Sequence, residues 1–146
     1  MKVRNYQIAI VEQVDLEVLA NNNVYKFLIR FLVMAQHGYI EVDGKSAFDK
    51  AIAKGLVVVD FWADWCMPCL MMAPVFDEMA EKFKGKISFV KVNVDDNQPL
   101  AEKFKVQSIP TMIVFKDGKE KDRVIGAMYA DDFEEYLNKI LRGTEK

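Results

Sequence analysis

Residues Leu56 to Trp62 read Leu-Val-Val-Val-Asp-Phe-Trp, an apolar run broken only by Asp60. A strand that is apolar on both faces must be covered on both faces, so this run calls for helices above and below a sheet. The rest of the chain supplies them. Ile87 to Val94 is a second β-branched run, and Thr111–Lys116 and Lys119–Gly126 are two more around Asp117-Gly118, a strong hairpin signal. Ser46 to Lys54 reads as a short helix and Cys66 to Lys84 as a long one, which Pro74 should bend or deprive of a hydrogen bond. Pro99 opens a further short helix ending near Phe104. The last helix carries Phe133, Leu137, Ile140 and Leu141 on one stripe, with Asp131 and Glu134 at capping-box spacing. With a strand at Tyr39, the order is strand, helix, strand, helix, strand, helix, hairpin, helix. The expected fold class is therefore α/β, in three layers: a mixed central sheet of about five strands flanked by helices.

The first 38 residues follow a different pattern and are expected to be an N-terminal extension, partly helical, before a domain spanning 39–146. Tyr6, Ile8 and Ile10, then Val14, Leu16 and Val18, alternate as short strands would. Asn21-Asn22-Asn23 suits a turn, and Val24, Phe27, Leu28, Phe31 and Met34 then make a broad apolar helical face. Such a face needs a cover, either the domain itself or a second copy in a homodimer. Translation starting at Met34 is an alternative account.

The 20 basic and 22 acidic residues are spread along the chain, leaving a net charge of -2 and no basic patch for nucleic acid. Met1-Lys2-Val3-Arg4 is followed by Asn5 and Gln7 rather than an apolar signal core, and the apolar stretch Val24–Met34 is too short to cross a bilayer. A soluble, cytoplasmic protein with no membrane partner is expected.

There are two cysteines, Cys66 and Cys69, too close together to staple a secreted domain. Residues i and i+3 share a helix face, so the sulfurs are within bonding reach. Cys66 falls at the start of a helix, where unpaired N–H groups and the helix dipole favour a thiolate. Pro68 suits the first turn. Cys69, Ala73, Phe76, Ala80 and Phe83 trace one face, making Cys69 the sheltered sulfur and Cys66 the exposed one. That asymmetry suits two-step exchange, with Cys66 attacking a disulfide and Cys69 resolving the product. The competing reading is half a zinc site or two inert core cysteines. Zinc needs four ligands and the single histidine is His37, so no metal is expected unless a second subunit contributes. Asp60, buried on whichever face it points to, should have a raised pKa and serve as a proton acceptor or donor for Cys69; the blander reading is a carboxylate paired with Lys91, and both can hold at once.

These residues together resemble the thioredoxin family. Val59-Asp60-Phe61-Trp62-Ala63-Asp64-Trp65-Cys66-Met67-Pro68-Cys69 is similar to its active-site strand and helix start, and Pro74 to its kink proline. Lys91 matches the lysine near the buried aspartate, Ser108-Ile109-Pro110-Thr111 the loop whose proline is cis, and Gly126 the glycine beside the substrate groove. The resemblance spans about residues 39 to 143 and implies a five-stranded, thioredoxin-like sheet with four helices. It implies a protein-disulfide reductase in which Cys66 is the nucleophile, Cys69 resolves, Asp60 assists proton transfer and Lys91 stands near it. Trp65, Met67, Pro68, Ile109, Pro110, Gly126 and Ala127 then bind substrate. The redox-active disulfide Cys66–Cys69 serves in place of a cofactor, protein disulfides are the substrates, and a thioredoxin-reductase-type donor recharges the pair. The chain departs from the family with Met67 where glycine is usual and Leu70 where a basic residue is usual. Of the methionines near the site, Met67, Met112 and Met128 are candidates for an adaptable docking surface, while Met71 and Met72 suit the core. An oxidase or isomerase of the same fold, and a non-catalytic binding module using the extension, are the alternatives.

Overall fold

The computed structural model describes residues 38–144. The expectations for the strands and the apolar helix before Tyr39, and for His37, lie outside the described residues. Nine elements follow in the expected order: β1 (Tyr39–Glu41), α1 (Lys45–Ile52), β2 (Leu56–Trp62), α2 (Met67–Lys82), β3 (Ser88–Asn93), α3 (Gln98–Lys103), β4 (Thr111–Lys116), β5 (Lys119–Ile125) and α4 (Ala130–Thr144). The sheet order is β1-β3-β2-β4-β5. β3 runs parallel to β1 and β2, whereas β4 is antiparallel to β2 and β5 antiparallel to β4. The apolar run β2 is thus the central strand, and all of it except Trp62 is buried.

Alternation along β2 divides the core. Val57, Val59 and Phe61 pack with Phe48 and Ile52 of α1 and Leu100 of α3. Leu56 and Val58 pack on the other face with Met72, Phe76 and Met79 of α2 and Phe133 and Leu137 of α4. Each side chain of this size removed from water contributes about 1.5–3 kcal/mol, which makes the two-sided burial of β2 the main anchor of the sheet. Asp60 is the next residue on the α2 face.

The turn between β4 and β5 has two residues, Asp117 at φ 48° and Gly118 at φ 81°. Positive φ at both positions gives the twist that the hairpin needs. Two local expectations are corrected. α4 begins at Ala130, so Asp131 lies inside its first turn beside Asp132, against the positive end of the dipole, and is not the cap. In α2 the buried residues are Cys69, Met72, Phe76, Met79 and Ala80, with Ala73 only partly covered. The helix is rotated slightly from the expected stripe because bulkier Met72 and Met79 fill the space against α4 and the sheet.

Candidate active site at a recessed disulfide

At the end of β2 the chain turns through Ala63-Asp64-Trp65 and enters α2 at Cys66. The Cys66 N–H donates to the Ala63 carbonyl at 3.2 Å, and the residue has extended backbone angles as N-cap. Its Sγ accepts from the Cys69 N–H at 3.2 Å, satisfying one of the donors a helix start leaves unpaired. Pro68, in the first turn, forfeits no helical hydrogen bond. Cys66 and Cys69 are joined as a disulfide with Cα atoms 5.2 Å apart.

The expected contrast between an exposed and a sheltered cysteine is small in this oxidised state: Cys66 is 4% exposed and Cys69 2%. The reason lies in the packing of both sulfurs against Ala63, Trp62, Val94 and Ile109. The exposed surface belongs instead to the apolar rim, where Trp65, Met67, Leu70 and Met71 all stand out into solvent.

A second loop closes over the disulfide. The Ile109–Pro110 peptide is cis, as the resemblance implies, and the Ile109 carbonyl oxygen lies 3.7 Å from Cys66 Sγ. Pro110 is buried, and its carbonyl accepts from the Gly126 N–H at 2.8 Å, tying the loop to the end of β5. Gly126 has φ 99°, a conformation in which a side chain would be strained, so glycine is required here. Ala127 follows, exposed.

Two grooves flank the rim. One, of about 490 Å³, is lined by Trp65, Val94, Asp95, Gln98, Ser108 and Ile109. The other, of about 440 Å³, is bordered by Met71, Met72, Val75, Ala127, Met128 and Tyr129. The Trp65 indole N–H donates to Asp95 Oδ2 at 2.8 Å, holding an otherwise exposed ring in one orientation. Asp95 is a residue that sequence reasoning passed over, since nothing local distinguishes it from any surface aspartate.

Beneath α2, Asp60 is 1% exposed and its Oδ1 has no hydrogen-bond partner. Loss of solvent pushes its carboxyl up to about 7, against an opposing pull from the Lys91 charge. Lys91 faces Asp60 in the β2–β3 register and is itself buried. Its ammonium lies over the Trp62 ring, 4.2 Å from the centroid, and 5.2 Å from that of Tyr39. Among the described residues the two charges form no direct ion pair, which corrects the paired alternative for Asp60.

The structure brings together Cys66, Cys69, Trp65, Met67, Pro68, Ile109 and Pro110, with Gly126 linked through its hydrogen bond. It removes Met112 from the candidate docking residues. Met112 is fully buried on β4, opposite Asp60, because both faces of that strand are covered. Met71, assigned to the core, is 69% exposed, and Tyr129, unmarked in the sequence, is 82% exposed. Among the described residues no group of three or more His, Cys, Asp or Glu is placed to hold a metal ion. Nor does any described helix have the length and apolarity to cross a membrane.

The thioredoxin family model matches residues 39–139. Over 96 residues the chain is 49% identical to a thioredoxin of Staphylococcus haemolyticus (strain JCSC1435), covering 66% of this chain and 92% of that relative. It is 47% identical over 94 residues to a thioredoxin of Staphylococcus aureus (strain Mu50 / ATCC 700699), covering 64% and 90%. Among solved structures, a mutant thioredoxin from Halobacterium salinarum NRC-1 superposes with a TM-score of 0.65 at 32% identity, covering 70% of this chain and 90% of that one. The thioredoxin of Malassezia sympodialis gives a TM-score of 0.64 at 30% identity with the same coverage.

Proposed function

The chain belongs to the thioredoxin family and is a disulfide oxidoreductase of that type, and on this premise we propose how its residues divide the work. In the reduced protein the Cys66 thiolate attacks one sulfur of a protein disulfide. A mixed disulfide forms and the other substrate sulfur leaves as a thiolate. Cys69 then attacks Cys66 Sγ, closing the intramolecular disulfide and releasing the second substrate sulfur. The substrate gains two electrons and two protons, and the Cys66–Cys69 pair loses them.

The observation that carries this reading is the capping geometry, with Cys66 Sγ at the N-terminus of α2 accepting the Cys69 N–H at 3.2 Å. An N–H donor and the helix dipole both favour negative charge on that sulfur. Asp60, with its carboxyl near neutral, takes the proton from Cys69 as it becomes a nucleophile, directly or through water, and Lys91 sets how readily it does so. Trp65, Met67, Pro68 and Ala127 form the rim that a substrate segment meets. Ile109, Pro110 and Gly126 offer backbone for it to pair with. Protein disulfides are the substrates, and a thioredoxin-reductase-type donor in the cytoplasm returns the electrons. We propose that the segment before Tyr39 joins two copies of the chain through the apolar residues Val24, Phe27, Leu28, Phe31 and Met34. Light scattering of a chain lacking 1–33 tests this, since an unchanged mass excludes the dimer.

Equilibration of the Cys66–Cys69 couple in thiol–disulfide buffers tests the direction of transfer. A potential near about -270 mV supports a reductase, whereas about -180 mV or higher assigns the protein to oxidase or isomerase work and implicates Met67. Failure to form the disulfide at any potential overturns the redox reading.

A further inference from the structure

The methionines of α2 divide sharply by exposure. Met67 is 65% exposed and Met71 69%, whereas Met72 and Met79 are each 1% exposed. Met67 and Met71 are four residues apart, one above the other on a single helix face, and that face starts directly after Cys66. Met72 Sδ is engaged as well as covered, accepting the Met128 N–H at 3.4 Å. Met112 on β4 is fully buried. Among the described residues the two most exposed methionines are therefore those next to the redox disulfide, Met128 being half-buried.

We propose that Met67 and Met71 form a paired oxidation site, at which conversion to the sulfoxide weakens the docking of protein substrates while leaving the disulfide chemistry intact. The oxidant is hydrogen peroxide. Its O–O bond breaks, one oxygen is transferred to the thioether sulfur, and the other leaves as water, so that each methionine loses two electrons and the peroxide gains them. The cysteines are spared when already joined as the disulfide, since no thiolate is then present to compete. The product is polar and chiral where the thioether was apolar and adaptable. Around Cys66 it replaces two members of an apolar rim, and at Met71 it also alters the wall of the groove shared with Met128 and Tyr129. Sulfoxides are returned to thioethers by dedicated reductases, so the change is reversible. Protein-disulfide reduction is thereby attenuated under peroxide. This inference rests on the rim being where protein substrates dock.

The test treats the full chain, in its disulfide form, with limiting hydrogen peroxide. Peptide mass mapping follows, and then, with a thioredoxin-reductase-type donor recharging the Cys66–Cys69 pair, reduction of insulin and of a small aromatic disulfide by the treated protein. Met67 and Met71 are expected to gain oxygen before Met72, Met79 and Met112. The kcat/KM for insulin should fall about fivefold, mainly through KM, with turnover of the small disulfide unchanged. In a Met67→Leu, Met71→Leu double variant, treated and untreated samples should differ by less than about twofold, whatever the variant's own starting activity. Three outcomes overturn the proposal: oxidation of buried methionines first, an insulin rate indifferent to the sulfoxides, or an equal loss in the double variant. Failure of the untreated chain to reduce insulin overturns the docking reading on which the inference rests, whereas the order of oxidation judges the site separately.

Discussion

Asp60 and Lys91 face each other across the parallel β2–β3 pair, yet the ammonium rests over the Trp62 ring at 4.2 Å rather than on the carboxylate. The lysine thus offsets part of the cost of burying Asp60 without cancelling it, and the carboxyl stays protonated to about pH 7.

This arrangement makes stability depend on pH in a defined direction. Because the folded-state pKa is raised to about 7, the native chain holds a proton that the unfolded chain releases near about pH 4. Between those values the native state binds more protons, so stability falls as pH rises, and the full penalty is present above about pH 7. Asp60→Asn should therefore gain little near about pH 4 and roughly 4 kcal/mol near about pH 8, measured by urea unfolding. A gain of equal size at both pH values would contradict the assignment.

Lys91→Met removes the charge that draws the Asp60 carboxyl down. The pH midpoint of Cys69-dependent resolution should move upward, by roughly one unit. Stopped-flow rates across the neutral range will read it, and a downward or absent shift would rule out electrostatic coupling through Lys91.

The two cysteines should fail differently. Cys66→Ser should lower insulin reduction by at least about a thousandfold, since it removes the attacking sulfur. Cys69→Ser should instead accumulate a mixed disulfide with substrate through Cys66, visible by intact mass. Trapping through Cys69 in the Cys66→Ser variant would reverse the assigned roles.

Asp95→Ala frees the Trp65 indole from its 2.8 Å hydrogen bond. With the ring no longer held, KM for a protein disulfide should rise about threefold while small-disulfide turnover stays the same. Steady-state kinetics on both substrates check this, and a parallel loss on both would make Asp95 part of the chemistry instead.

Phe76 on α2 is fully buried, stacked on Phe133 and edge-on to Phe89. Phe76→Ala should cost roughly 3–5 kcal/mol in chemical unfolding, through lost burial and a cavity between helix and sheet. A cost below about 1 kcal/mol would mean that α2 is not anchored there.

The one-dimensional pattern determined the order of elements, the central place of Leu56–Trp62 and the pairing of Cys66 with Cys69. These follow from periodicity, turn chemistry and short-range spacing, all of which are local. It also marked Asp60, because a carboxylate inside a doubly covered strand has few bland explanations. Contacts between segments distant in the chain were decided only by the tertiary structure. Asp95 is thirty positions from Trp65, and its role exists only once α2 and the end of β3 meet. Met71 and Met112 exchanged their expected places because exposure depends on which neighbours cover a side chain, and helix α2 turned its bulkier Met72 and Met79 inward. The recess around Cys66 likewise depends on Ile109, forty-three positions away, which no spacing rule within the active-site motif can supply.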